Sequence, residues 1–149
     1  MTSPGKIARR GPADLLLTAE ALVLLVFFRV CLALVPVRRI IKAITSMPSQ
    51  AGARPADVTA SDRDLQLARR VQWAVGAVAR HSFVEFVCFP QTLTAYTLLR
   101  WRKVPSTMVY GVARSPEGEL IAHTWLEVGD KIVTGVEGAA KFTPVERWS

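Results

Sequence analysis

Two side chains in this chain have the types and order needed for covalent catalysis: Cys88, in "FVCFPQTLTAYTLLRWRKVP", and His123, in "AHTWLEV". A thiolate is the nucleophilic form of cysteine, and the unpaired N–H groups and partial positive charge at a helix mouth favour it. Pro90 suits the first turn of a helix, where a missing N–H costs nothing, so Cys88 is expected at the N-cap or just before it. Cys31 is the contrast: it lies between Val30 and Leu32 inside an apolar run and is expected to be an inert core residue. His123 falls in an alternating segment, so His123, Trp125 and Glu127 should share one face of a strand. A strand places an imidazole rigidly, and an imidazole can take the proton of a neighbouring thiol.

Other chemistries have less support. The sequence has no Gly-rich phosphate loop, no paired-Cys metal spacing and no helical His pair, so no cofactor or metal is expected. Two cysteines do not make a disulfide framework, which points to a reduced, cytoplasmic compartment. His81 stands alone and reads as structural or solvent-exposed. Arg63, Arg69, Arg70 and Arg80 lack interleaved aromatics and read as a solvated helix face, so no nucleic-acid partner is expected.

The elements that must position the pair follow from periodicity. Ser61 reads as an N-cap, with Asp62 and Asp64 in the first turn. Leu65, Ala68, Val71, Val75 and Val78 then recur at helical spacing, predicting an amphipathic helix over 62–80. A second helix runs from Cys88 to near Lys103. Beyond Pro105 the period changes. "TMVYGVA", "LIAHTWLEV" and "KIVTGV" read as three antiparallel strands joined by "RSPEGE" and "GD" turns. The expected fold class is α+β.

The formal charge of +7 is uneven, because residues 1–45 hold seven Lys/Arg against Asp14 and Glu20, a net of +5. The same segment is the most apolar, but Glu20 and Arg29 interrupt it, which argues against a bilayer span. A helix or helical pair packed on the rest of the protein is expected, with Pro36 as kink or break. Interfacial membrane contact through Arg38, Arg39 and Lys42 is the other reading. Residues 46–61, rich in Pro, Ser, Ala and Gly, read as a linker. The expected division is a basic, apolar helical segment over 1–45, that linker, and a catalytic core over 62–149.

A Cys opening a helix, then a strand, then "H-x-W" on the next strand resembles the transglutaminase-like branch of the papain-type cysteine enzymes. Within that branch, "CFPQTLTAYTLLRWRKVPSTMVYGVAR" and "AHTWLEVGDKIVTGVEGAAKFTPVERW" are similar to the leader peptidases of lasso-peptide biosynthesis, the B proteins. These resemble the microcin-processing maturation protein in its C-terminal half. The resemblance is strong over residues 88–148 and looser over the N-terminal helices. It implies a transglutaminase-like peptidase core that cuts a lasso precursor between leader and core peptide. It also implies a stand-alone form working with a separate leader-recognition protein and an asparagine-synthetase-like cyclase. The cysteine count and the basic helices place the chain in the cytoplasm or peripherally at the inner membrane face. Cys88 would be the nucleophile and His123 the general base. Acyl transfer to an amine, and a non-catalytic scaffold role, are the alternatives.

That family usually supplies a third, acidic residue on the strand after the His, and ungapped spacing puts Gly135 at its position. Asp130 lies at the hairpin tip, too far from His123. A three-residue loop of Gly129, Asp130 and Lys131 would set Glu137 opposite His123, whereas a two-residue loop would set Val136 there. Glu137 is therefore one candidate, and orientation of the imidazole by a backbone carbonyl or water is the other.

Overall fold

The computed structural model describes residues 11–46, 59–81 and 88–149; most of the expected linker, 47–58, lies outside them. Among these residues, four α-helices precede a four-stranded sheet: α1 (Pro12–Leu34), α2 (Val37–Thr45), α3 (Asp62–His81), α4 (Cys88–Trp101), β1 (Thr107–Arg114), β2 (Leu120–Val128), β3 (Lys131–Thr134) and β4 (Thr143–Trp148). The sheet is antiparallel in the order β3-β2-β1-β4. This is the α+β architecture expected from the sequence.

Helix α1 starts with Pro12 at its first position and ends where Pro36 forces the preceding Val35 into extended backbone. Pro36 then serves as the N-cap of α2, so the apolar segment is a broken helical pair. Helix α3 starts with a reciprocal cap. The Ser61 hydroxyl accepts from the Asp64 N–H at 3.2 Å, and the Asp64 carboxylate accepts from the Ser61 N–H at 3.1 Å. This is a capping box with Asp in the place usually held by Glu or Gln.

Helix α4 is the centre of the molecule. Thr92 to Tyr96, Leu98 and Leu99 are all buried, which leaves almost no polar face, because α1, α3 and the sheet enclose it. Burial pushes the Tyr96 phenol above its ordinary 10.0, partly offset by the Arg100 guanidinium that donates to its oxygen at 2.7 Å. Leu17, Ala21, Leu24, Leu25 and Phe28 of α1 belong to the same core as α3, α4 and one face of the sheet. In space, α1 is thus a wall of that shared core, with the Asp14–Arg70 and Glu20–Arg102 ion pairs fixing its polar positions. By length and composition α1 could cross a membrane, yet one side of it packs inside the protein.

Two expectations need correction. The sheet has a fourth strand, β4, which the sequence reading missed. It pairs only with β1, and most of its side chains are exposed, so no alternation marks it. Pro144, tolerated at such an edge, further masks the strand signal. Cys31, expected in the core, is half-buried at its rim in the last turn of α1.

Candidate active site

Cys88 is the first helical residue of α4 and is half-buried. One turn on, the Thr92 hydroxyl donates to the Thr124 carbonyl of β2 at 3.3 Å and lies 3.3 Å from the Thr134 hydroxyl of β3. These bonds seat the helix mouth beside the residue that follows His123. The direction of α4 agrees: its C-terminal end leads to Thr107, which pairs with Glu127 at the far end of β2. Cys88, four residues and so about 6 Å up the axis from Thr92, therefore lies toward the His123 end of the strand.

The His123 ring has a built surround. It stacks on Trp125 with centroids 6.2 Å apart and lies 5.1 Å from Phe142. The Trp125 indole N–H donates to Glu127 at 2.8 Å, and Arg147 donates to the other oxygen of that carboxylate at 2.7 Å. Gly111 opposes His123 on β1, and its missing side chain makes room for the indole: a Cβ there would lie 2.7 Å from Trp125. His123, Trp125 and Glu127 share one face, as alternation predicts. That face belongs to a small cluster with Val109 and Ala139, on the side away from the helical core.

The decisive contact is between His123 Nε2 and the Gly135 carbonyl, at 2.8 Å. A carbonyl oxygen only accepts, so Nε2 carries a hydrogen, and in the neutral ring Nδ1 keeps its lone pair. Gly135 occupies the position where spacing placed the expected acid. It adopts φ +70, and a Cβ on it would meet the Thr124 carbonyl at 2.5 Å and His123 Nε2 at 3.1 Å. The chain approaches the imidazole this closely because the residue is glycine.

The hairpin between β2 and β3 combines the two registers considered from sequence. Its loop has two residues, since Val128 pairs with Lys131, and Gly129 at φ +59 takes the glycine position of a type II′ turn. A register shift then pairs Leu126 with Thr134, and the chain turns away at Gly135 before the ladder reaches Glu137. Glu137 stands exposed in the turn that follows, while Asp130 is exposed at the hairpin tip beside Lys131. Neither carboxylate bonds to His123, whose ring bond runs to Gly135.

The structure thus packs the helix of Cys88 on the Thr124 face of β2, with the His123 ring on the other face; among the described residues it shows no hydrogen bond between thiol and ring. Catalytic hydrogen bonds are often long before substrate binds. His81 is exposed at the end of α3 and, among the described residues, bonds within its own helix, to Ala77. Gly111, Thr92 and Phe142 shape the site without a sequence signal that marks them. No group of metal-ligating side chains occurs among the described residues.

The family model of the transglutaminase-like superfamily matches residues 31–147. The chain belongs to that superfamily. Its members are typically cysteine-dependent enzymes of the protease or acyltransferase type. No curated protein and no solved structure gives a significant match. The match runs from the end of α1 to the end of β4, so the transglutaminase-like domain takes in α2 and the linker as well as the expected core.

Proposed function

We propose that this transglutaminase-like protein is a cysteine endopeptidase that removes the leader from a lasso-type precursor. The observation that carries this reading is the seat of α4: Thr92 holds the helix opened by Cys88 against the Thr124 face of β2, one residue along the strand from His123. Gly135 holds Nε2 of that imidazole, leaving Nδ1 as the proton acceptor. In the substrate complex Nδ1 takes the Cys88 proton and the thiolate attacks the scissile carbonyl. The backbone N–H of Cys88 donates to the resulting oxyanion. Collapse breaks the C–N bond as the imidazolium protonates the leaving amine. Water, deprotonated by Nδ1, then cleaves the thioester and frees the leader carboxylate.

The similarity of residues 88–148 to the B proteins supports the substrate class, and with it the separate recognition protein and cyclase as partners. The apolar outer face of α1 gives such partners a surface to dock on, in the cytoplasm or at its membrane surface. The test is to incubate the full chain with precursor and recognition protein and to weigh the products. Hydrolysis leaves a free carboxylate on the leader, lost in Cys88→Ala. A new amide on the leader instead would establish acyl transfer, and processing that survives Cys88→Ala would establish a scaffold.

A further inference from the structure

A groove of about 770 Å³ lies between α2 and the β1–β4 side of the sheet, within the size range of ligand sites. Its apolar lining comes from Val37 and Ile41 of α2, Tyr110 of β1 and Trp148 of β4. Phe89, the residue after Cys88, lines it as well, so the groove opens at the helix mouth. We propose that this groove seats a segment of the substrate peptide carrying an apolar side chain flanked by an acidic residue. The proposal rests on the reading of Cys88 as the nucleophile.

Charge argues for the acidic flank. Arg38 and Lys42, one helical turn apart, stand beside Val37 and Ile41, so α2 presents a basic pair next to an apolar pair. Arg70, Arg102 and Arg147 each have a carboxylate partner, whereas Arg38 and Lys42 have none among the described residues. Glu146, on the opposite wall, is also without an ion pair there, so the groove is basic on its α2 side and acidic on its β4 side. Tyr110 and Trp148 stand 6.4 Å apart with tilted rings, a platform for an aliphatic or aromatic side chain. A peptide lying across this platform with its carboxylate toward α2 passes Phe89 on its way to the thiol.

The test uses full-length Cys88→Ala protein, which binds without turnover, and two capped probes, acetyl-Glu-Phe-Glu-amide and acetyl-Lys-Phe-Lys-amide. Tryptophan fluorescence reads binding, with Trp148→Phe identifying the responding indole. The acidic probe should bind about three- to tenfold more tightly, as two exposed ion pairs allow, and the preference should shrink with salt. Arg38→Glu with Lys42→Glu should reverse it; both positions are exposed, and circular dichroism checks the fold. Equal binding of the probes, or a preference that survives charge reversal, overturns the proposal even if the protein cleaves a precursor. The expected preference in a protein that cleaves no precursor leaves the groove standing and removes the peptidase reading.

Discussion

His123 and Gly135 are joined by a ring-to-backbone hydrogen bond of 2.8 Å, so a peptide carbonyl stands at the position where the sequence resemblance predicts a carboxylate. The fixed tautomer follows, with hydrogen on Nε2, and nitrogen NMR of the imidazole should show it in the neutral enzyme. Glu137 and Asp130 are both exposed and away from the ring. Loss of a true orienting acid costs on the order of 10⁴-fold, whereas Glu137→Ala and Asp130→Ala should each change turnover by less than about threefold. A collapse of turnover in folded Glu137→Ala would restore the carboxylate triad and sink this account.

Gly135 should tolerate no side chain. Alanine there would hold φ +70 at a cost of about 1–3 kcal/mol, and its Cβ would strike the Thr124 carbonyl. Gly135→Ala is therefore expected to lower the melting temperature and, in the fraction still folded, to lower kcat by displacing the imidazole. Gly118, also at positive φ but with open space around it, is the control: Gly118→Ala should carry strain with no loss of kcat. Equal kinetic effects at both glycines would show that Gly135 does not position His123.

The two cysteines separate by helix end more than by burial, since both are half-buried. Cys88 opens α4 at its positive end, and Cys31 lies in the last turn of α1 at its negative end. Iodoacetamide should alkylate Cys88 first. Cys88→Ala should abolish processing with the fold intact, and Cys31→Ala should retain it. Faster labelling at Cys31 would count against the assignment of the nucleophile.

Much of this was legible because the responsible signals are local. Ser61 and Asp64 announce the start of α3, Pro36 breaks the apolar segment, and the alternation of "AHTWLEV" fixes which side chains share the His123 face. What was missed depends on tertiary context. Nothing in "FTPVERW" marks an edge strand whose side chains mostly face solvent. The Gly135 contact needs a register shift between Leu126 and Glu127, which the turn sequence does not encode. Thr92 reads as an ordinary helical residue until β2 and β3 pack against it.

Helix α1 carries apolar residues on both sides, and the two sides should behave differently. Leu15, Leu16, Leu22, Val23, Val26, Phe27, Val30 and Leu34 are 46% to 78% exposed, and at 100° per residue they span about 140° of arc. An exposed apolar face of this extent marks an interaction surface. Leu16→Gln with Val23→Gln and Phe27→Gln should reduce self-association while each change costs only about 0.5 kcal/mol or less. Leu25→Ala, on the buried side, should cost about 2–5 kcal/mol. The wild-type protein should need its partners for good solubility without detergent. Recovery in membranes after carbonate extraction would show that α1 spans the bilayer instead.

Thr92 and Thr124 touch across the helix–strand contact, yet their hydroxyls should matter in opposite ways. The Thr92 hydroxyl donates to the Thr124 backbone, while the Thr124 hydroxyl is buried without a hydrogen-bond partner among the described residues. An unmatched buried hydroxyl carries a desolvation cost of about 1–3 kcal/mol, so Thr124→Val, similar in shape, should be neutral or stabilising and keep full activity. Thr92→Val removes the donor that seats α4 and leaves the Thr134 hydroxyl unmatched, and should cost about 1–2 kcal/mol. Because that contact sets the mouth of Cys88 against the strand of His123, Thr92→Val should also lower kcat with little change in KM. Thermal melts and steady-state kinetics of the two variants decide the matter: a Thr92→Val enzyme with unchanged kcat would mean that α4 is positioned by its apolar packing alone.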